Sequence, residues 1–521
     1  MTSTPSRTIQ GRKPRPPKPE KMSMTALNSP EEGHLDRNGH VSPLADVLQR
    51  QKVAFLTEGN PSFKTRVDRI ERLAALVANH TDELVDALAA DFGTRPRALS
   101  LTGDLAPILL DAREATQHLK SWMRVDRPSQ FIDKFGIKRR IRHDPLGVAG
   151  IAGPWNFPVQ LAFGPAVAAL AAGNRVMVRP SSVTARTSAV LADAADRYFP
   201  PDELYVATAE SGPGSEFSKL NFDAFFFTGS PAVGREVAKD CAANLVPVTL
   251  ELGGKNPVIV DHAADFNLAA DRIARAKLVN SGQVCLCPDY VFVPASQVEA
   301  FVDAVLKIWA EMFPSIEDNS DYTSIINDSN YRRIINLIDD ARAKGATIRQ
   351  MIPTGEALPA PRTRKIPPTI LLGVGSDAQI ATDEIFGPAL VVHSYTDLAE
   401  PIAHLASHEL PLAMYWFGPD NARFDEVLNR TRSGSVNGND FLLNMLPGLP
   451  FGGVGMSGMG NYHGKYGFAT FTHARAVAHS TLRQSIARSI APPYSRLSGG
   501  IYSVSRLRNR RALKQVGKQS R

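Results

Sequence analysis

Cys285 stands directly behind the turn Asn280-Ser281-Gly282-Gln283-Val284, downstream of a second polar cluster, Glu251-Leu252-Gly253-Gly254-Lys255. A thiol and a carboxylate in such turns suit covalent catalysis, with the thiolate as nucleophile and the carboxylate as a proton carrier. Further upstream, Pro154-Trp155-Asn156-Phe157-Pro158 offers a side-chain amide donor. Each residue has a plainer reading: Cys285 as a small core hydrophobe, Glu251 as an ion-paired carboxylate, Asn156 as a turn residue. A cysteine after Gly-Gln in a loop is poorly placed for core packing. Three segments that folding must bring together argue for a site.

The elements that would position them follow from pattern. Residues 62–92 and 98–124 carry apolar positions at helical spacing, with Val67, Ile70, Leu73, Leu76 and Val77 in the first. Strands and helices then alternate: strand 147–152, helix 159–172 stopped by Gly173-Asn174, strand 175–179, and candidate strands 204–209 and 224–227. The last runs into Thr228-Gly229-Ser230-Pro231-Ala232-Val233-Gly234, a strand-to-helix junction whose amides can face a phosphate or form an ordinary tight turn. Strand 248–250 ends at Glu251; strand 257–260, helix 267–280, strand 290–293 and helix 297–313 follow, leaving Cys285 in a loop between helix and strand. Alternation of this kind predicts an α/β chain built on doubly wound, mostly parallel sheets.

Composition agrees with a globular protein of two or three domains: 521 residues, 43% hydrophobic and 21% charged. Cys241, Cys285 and Cys287 are too few and too badly spaced for a disulfide framework, and no second cluster completes a zinc site, so no metal is expected and a reducing cytoplasm is the expected compartment. The net charge of +7 resides in the ends: residues 1–21 carry +5 and residues 501–521 carry +7, leaving the body at −5. Such tails are solvated in the plain reading; contact with anionic lipid or nucleic acid is the alternative. The Pro-rich leader has no secretory apolar core, its Pro-x-x-Pro spacing fits either a flexible leader or an SH3-type ligand, and no run approaches the ~18 apolar residues of a membrane span.

The segments PWNFP (154–158), FTGS (227–230), ELGGK (251–255), NSGQVCLCPDY (280–290), EIFGP (384–388) and LPFGGVGMSGMGNYHGKYGF (449–468) resemble the signature set of the aldehyde dehydrogenase superfamily. The likeness runs from about 50 to 475 and is nearest the class 3 branch, with its bacterial coniferyl aldehyde dehydrogenases. It implies two doubly wound parallel-sheet domains, one for the cofactor and one catalytic, with an oligomerisation arm. The expected boundaries are a disordered basic leader over 1–45 and a helical entry with the NAD(P)-binding domain over 46–250, including an arm strand near 126–146. A catalytic domain over 251–445, a return to the cofactor domain with an oligomerisation strand over 446–480, and a basic tail over 481–521 complete the chain.

The resemblance implies that Cys285 attacks the aldehyde carbon, that the Asn156 amide and the Cys285 N–H hold the oxyanion, that a nicotinamide accepts the hydride, and that Glu251 activates water to release the acid. It assigns Glu384 and Phe386 to the nicotinamide ribose and ring, and Trp155, Gly229, Ser230, Gly234 and Leu252 to the cofactor. Arg179-Pro180-Ser181-Ser182 departs from the Lys-Pro-Ser-Glu of many NAD-dependent members. Without that acid, which would oppose a 2′-phosphate by about 4 kcal/mol at ~4 Å and an effective dielectric of ~20, NADP is accepted and NAD remains possible. Arg179 adds a forked donor suited to phosphate.

Asn437 and Phe451 are expected near the site, His463 as a packed structural residue, and Cys287 as filler or as a partner for oxidised Cys285. Phe441, Leu442, Leu443 and Leu446 line an apolar tunnel or belong to the core. The expected substrate is an aromatic or medium-to-long aldehyde, and class 3 relatives suggest a homodimer. A CoA-acylating relative is disfavoured by Glu251, a hydrolase by the lack of a histidine partner, and a silent homologue by the presence of Asn156, Glu251 and Cys285 together. Deleting both tails is expected to abolish any retention on DNA or anionic vesicles; retention that survives the deletion refutes the tail reading.

Overall fold

Helical periodicity opens the body as helices Pro43–Glu58, Phe63–Asn79, Thr81–Phe92 and Ala106–Trp122 in the computed structural model, which describes residues 42–128 and 136–483 with isolated positions between 485 and 510. The leader to residue 41 and most of the tail lie outside the described residues. Ile70, Leu73, Leu76 and Val77 are fully buried, and Ser62 caps its helix by accepting from the Thr65 N–H at 3.1 Å.

Two sheets follow. The first has six strands in the order Gly458–Met459, Val248–Leu252, Ala224–Gly229, Val148–Ala152, Arg175–Arg179 and Leu204–Val206, parallel except for the first pair. Helix Gln160–Ala172 is buried on nearly every side, which explains its lack of a polar face, and it ends at Gly173 in the left-handed conformation. The second sheet has seven strands in the order Ser435–Gly438, Ala413–Phe417, Asn256–Val260, Pro288–Pro294, Ala389–Tyr395, Thr369–Leu372 and Thr347–Gln350; only the last pair is antiparallel. A further ribbon pairs Ile137–Pro145 with Thr472–Ser480 antiparallel.

The strand carrying Glu251 runs on to Leu252, two residues past its expected end. Gly458–Met459 returns there and lies antiparallel against Glu251 and Leu250, extending the ladder. The strand expected over 204–209 stops at Val206 and gives way to a turn at Ala209–Ser211. It is the edge strand, and the carbonyls of Thr208 and Gly212 beyond it accept from the Arg179 guanidinium instead of pairing in a ladder. Only Gly253-Gly254-Lys255 separates the last parallel strand of the first sheet from the Asn256–Val260 strand of the second. Glu251 therefore lies where the chain crosses between sheets.

Gly458 has φ +150°, and a Cβ there would come within 2.2 Å of the Leu250 carbonyl oxygen. Gly458→Ala is expected to destabilise by about 2 kcal/mol or more, measured as a lower melting temperature with a parallel loss of activity.

Candidate active site

Cys285 lies at the meeting of two cavities. A cleft of about 290 Å³ is lined by Trp155, Asn156, Thr228, Gly229, Ser230, Glu251, Leu252, Glu384 and Phe386, among others. A larger tunnel of about 540 Å³ approaches from the other side, lined by Leu99, Phe157, Val279, Phe441, Leu442 and Met445, with Arg272, Arg275 and Asp440 also on its wall. Cys285, Leu161, Phe451 and Tyr462 line both. Enclosure pushes the Cys285 thiol up to about 12, with Glu384 and Glu251 adding to the rise; the N–H groups of Cys285 and Leu286 facing the sulfur oppose it.

The cysteine loop is held from several directions. Asn280 and Ser281 adopt left-handed backbone, with φ 50° and 52°, a strained arrangement that persists only where surroundings enforce it. Gln283 is fully buried: its amide donates to the Asn280 and Ser324 carbonyls and accepts from the Ile326 N–H. Asn256 donates to the carbonyls of Cys285 at 2.7 Å and Cys287 at 3.0 Å. Gly282, at φ +77°, passes so close to the Gly387 carbonyl that a Cβ would lie 2.1 Å from it. This abutment brings the cysteine loop against the loop carrying Glu384 and Phe386.

Glu251 is 2% exposed, and neither of its carboxyl oxygens has a partner. Burial holds its pKa well above the ordinary carboxyl range. The Asn156 amide donates one hydrogen to the Gln283 carbonyl at 3.1 Å, and Nδ2 carries a second. Glu384 is pushed up to about 7 by burial and by Asp289, opposed by the Gly254 N–H and the charges of Lys255 and Arg333. Its carboxylate lies over Gly253, where a Cβ would come within 2.3 Å of Oε2. Arg333 donates to the Glu384 and Ile385 carbonyls at 3.0 and 2.8 Å, and Asp289, ion-paired with Lys255, accepts from the Ile385 N–H.

The cleft suits a nicotinamide dinucleotide. Thr228 presents a buried hydroxyl with no partner. Gly229 ends its strand and Ser230 caps helix Pro231–Ala243, so the positive end of that helix lies beside the two residues that line the cleft. Gly234 lies outside this lining: its Cα packs on Leu252, where a Cβ would come within 2.6 Å of the side chain. Its value is close helix–strand approach. Arg179 and Ser182 are also outside the lining. The Arg179 fork expected to meet phosphate is directed to the carbonyls of Thr208 and Gly212, while Ser182 is exposed.

Phe451 lines both cavities, whereas Asn437, Leu443 and Leu446 line neither. His463 is half-buried, packed on Phe451 and Tyr462, and desolvation of its ring holds it down to about 4. The Cys287 thiol shares its one hydrogen between the Lys277 and Pro288 carbonyls, at 3.7 and 3.6 Å. Sequence reasoning passed over Asn330, Arg333, Asp289, Asn256 and Tyr462. Asn256 and Asp289 stood inside or beside recognised motifs and were open to notice. Arg333 occupies an ordinary amphipathic helix, Asp328–Ala343, with no local signal.

A thiol between a polar cleft and an apolar tunnel, on a pair of doubly wound sheets, fits an oxidoreductase. The aldehyde dehydrogenase family pattern matches residues 44–477, and the chain belongs to the aldehyde dehydrogenase family. It is an NAD(P)-dependent oxidoreductase acting on the aldehyde group. The chain is 40% identical to coniferyl aldehyde dehydrogenase of a Pseudomonas species, over 93% of this chain and 99% of that one. It is 34% identical to the dimeric NADP-preferring aldehyde dehydrogenase of Rattus norvegicus, over 87% and 98%. The solved substrate-bound AldH of Staphylococcus aureus superposes with a TM-score of 0.81 at 32% identity, covering 88% of this chain and 98% of that one.

Because enclosure and two neighbouring carboxyls raise the thiol, the thiolate fraction is small at neutral pH and grows with pH. Without cofactor, alkylation of Cys285 by iodoacetamide is expected to rise about tenfold per pH unit from 7 to 10. Glu384→Gln is expected to speed it at pH 9, since it removes a like charge. A plateau near pH 8 would contradict the assignment.

Proposed function

We propose that Cys285, Glu251 and Asn156 carry out oxidation of an aromatic or other apolar aldehyde to its carboxylic acid. The observation that supports this reading best is the place of Cys285, open to the cofactor cleft on one side and to the apolar tunnel on the other. Cys285 attacks the aldehyde carbon as the thiolate, its proton having left to solvent, and the Asn156 amide with the Cys285 N–H takes the oxyanion. The nicotinamide, when bound, supplies the acceptor for the hydride leaving that carbon. Trp155, Gly229, Ser230, Leu252, Glu384 and Phe386 hold the cofactor, and Gly234 supports them through Leu252. Cys285 is left acylated as a thioester, and Glu251 draws a proton from water to hydrolyse it. Since burial holds the Glu251 pKa well above the ordinary carboxyl range, this step speeds up as pH rises through it.

The tunnel volume lies within the ~300–1,000 Å³ of pockets that enclose small organic ligands. Its aromatic walls, Phe157, Phe441 and Tyr462, suit a planar ring, and the name of the Pseudomonas relative points to a hydroxycinnamyl aldehyde. NADP acceptance now rests on Ser182, which presents no carboxylate near the adenosine ribose; Arg179 supports it only through the backbone it anchors. The rat relative, named dimeric and NADP-preferring, supports both that cofactor and a homodimer, for which the ribbon of Ile137–Pro145 and Thr472–Ser480 is the candidate contact. The domain divisions expected over 46–250, 251–445 and 446–480 remain our reading. Three free thiols suit a reducing cytoplasm, and among the described residues no helix is long and apolar enough to cross a membrane.

Reduced-cofactor formation at 340 nm with coniferaldehyde, benzaldehyde and octanal, each with NAD and NADP, tests the reading. Turnover of the aromatic aldehydes that vanishes in Cys285→Ala is expected; none with any pair overturns it. Ser182→Glu is expected to lower kcat/KM for NADP by about 10- to 100-fold, a repulsion reduced by solvent at this exposed position, with NAD little changed.

A further inference from the structure

We propose that the buried pair Arg95–Asp104 is the positioning device that sets the Asn156 amide against the cysteine loop, so that turnover depends on its geometry. The inference rests on the reading of Asn156 as an oxyanion donor.

Both side chains are completely shielded from solvent, and Arg95 Nη2 lies 2.5 Å from Asp104 Oδ2. The other guanidinium arm reaches two parts of the site at once. Nη1 donates to the Asn156 carbonyl at 2.9 Å and to Asn280 Oδ1 at 3.2 Å. Asn280 in turn donates to the same Asn156 carbonyl and to the Gln283 carbonyl, which also receives the Asn156 side-chain amide. Arg95 thus closes a ring joining the backbone of the amide donor to the strained start of the cysteine loop. The rings of Phe92 and Phe157 lie 4.5 and 5.0 Å from its guanidinium carbon, fixing its plane.

Asp104 acts from the opposite side. Its second oxygen accepts from the Val159 and Gln160 N–H groups at 3.1 and 3.3 Å, where the segment carrying Asn156 enters helix Gln160–Ala172. Asp104 itself belongs to a π-helical stretch, Ser100–Leu105, between the turn Arg97–Leu99 and helix Ala106–Trp122. Such widened turns are uncommon and concentrate at functional sites. Here the stretch lies against Phe157, close enough that a Cβ on Gly103 would come within 2.8 Å of that ring. A buried ion pair is a weak source of stability, since desolvation offsets the attraction and well-packed apolar replacements often serve equally well. Its stronger contribution here is to orientation, because a planar fork bonded to two loops fixes them relative to one another.

The test is a double-mutant cycle with a stability control. Arg95→Lys keeps the charge and loses the fork; we expect kcat to fall by about 30- to 100-fold, while KM for NADP and the iodoacetamide reactivity of Cys285 stay within about twofold. Asn156→Ala is expected to lower kcat by about 100-fold in the wild type and by no more than about threefold further in Arg95→Lys, because both changes spoil one donor. The apolar replacement Arg95→Met with Asp104→Leu is expected to melt at or above the wild-type temperature while losing kcat as Arg95→Lys does. Losses that multiply, wild-type turnover in the apolar replacement, or its failure to fold would each overturn the inference. Full turnover in Asn156→Ala would instead sink the oxyanion reading, and the positioning role with it.

Discussion

Three acidic groups, the Cys285 thiol and the Glu251 and Glu384 carboxyls, share one enclosed space, and ionising either carboxyl opposes ionising the thiol. Burial is the largest influence on all three and raises each of them. Much of the surrounding structure answers this constraint. The N–H groups of Cys285, Leu286 and Gly254, with the charges of Lys255 and Arg333, are the main opposing influences on the thiol and on Glu384. Glu251 alone has none, which keeps its carboxyl responsive to whatever enters the cleft.

Holding such groups together requires backbone that no single element supplies. The first sheet delivers Glu251, the second frames the Glu384 loop, and the cysteine turn bridges them in a strained conformation. Glycine appears where these pieces touch. Gly253 admits the Glu384 carboxylate, Gly282 the Gly387 carbonyl, and Gly458 the Leu250 carbonyl; at the last two a side chain would collide with backbone that cannot withdraw. Buried amides of Asn256, Asn280 and Gln283 then satisfy carbonyls left over by the turn, making a polar scaffold beneath an apolar tunnel.

Most elements were legible because their apolar periodicity is strong and their ends are punctuated. Strand Arg175–Arg179 and helix Gln160–Ala172 fall where pattern put them, within a residue. The short edge strand at Leu204–Val206 was overextended, since a β-like run cannot reveal that its last carbonyls are taken by a guanidinium. Arg179 itself was read by residue type as a phosphate donor, and tertiary neighbours claimed its fork first. The tunnel was anticipated from Phe441 and Leu442, while Leu443 and Leu446 turned elsewhere, because four apolar residues in a loop carry no record of which way each faces.

By itself the sequence determined the alternating architecture, the family, and the reactive residue types at Cys285, Glu251 and Asn156, because these depend on local periodicity and on motifs of fixed spacing. Only the tertiary structure decided that Cys285 opens onto two cavities, that Glu251 is left without a partner, and that Arg95 and Asp104 reach the loops of the site. Those properties arise from contacts between segments far apart in the chain. Burial and distance set them, and neither is written in any one segment.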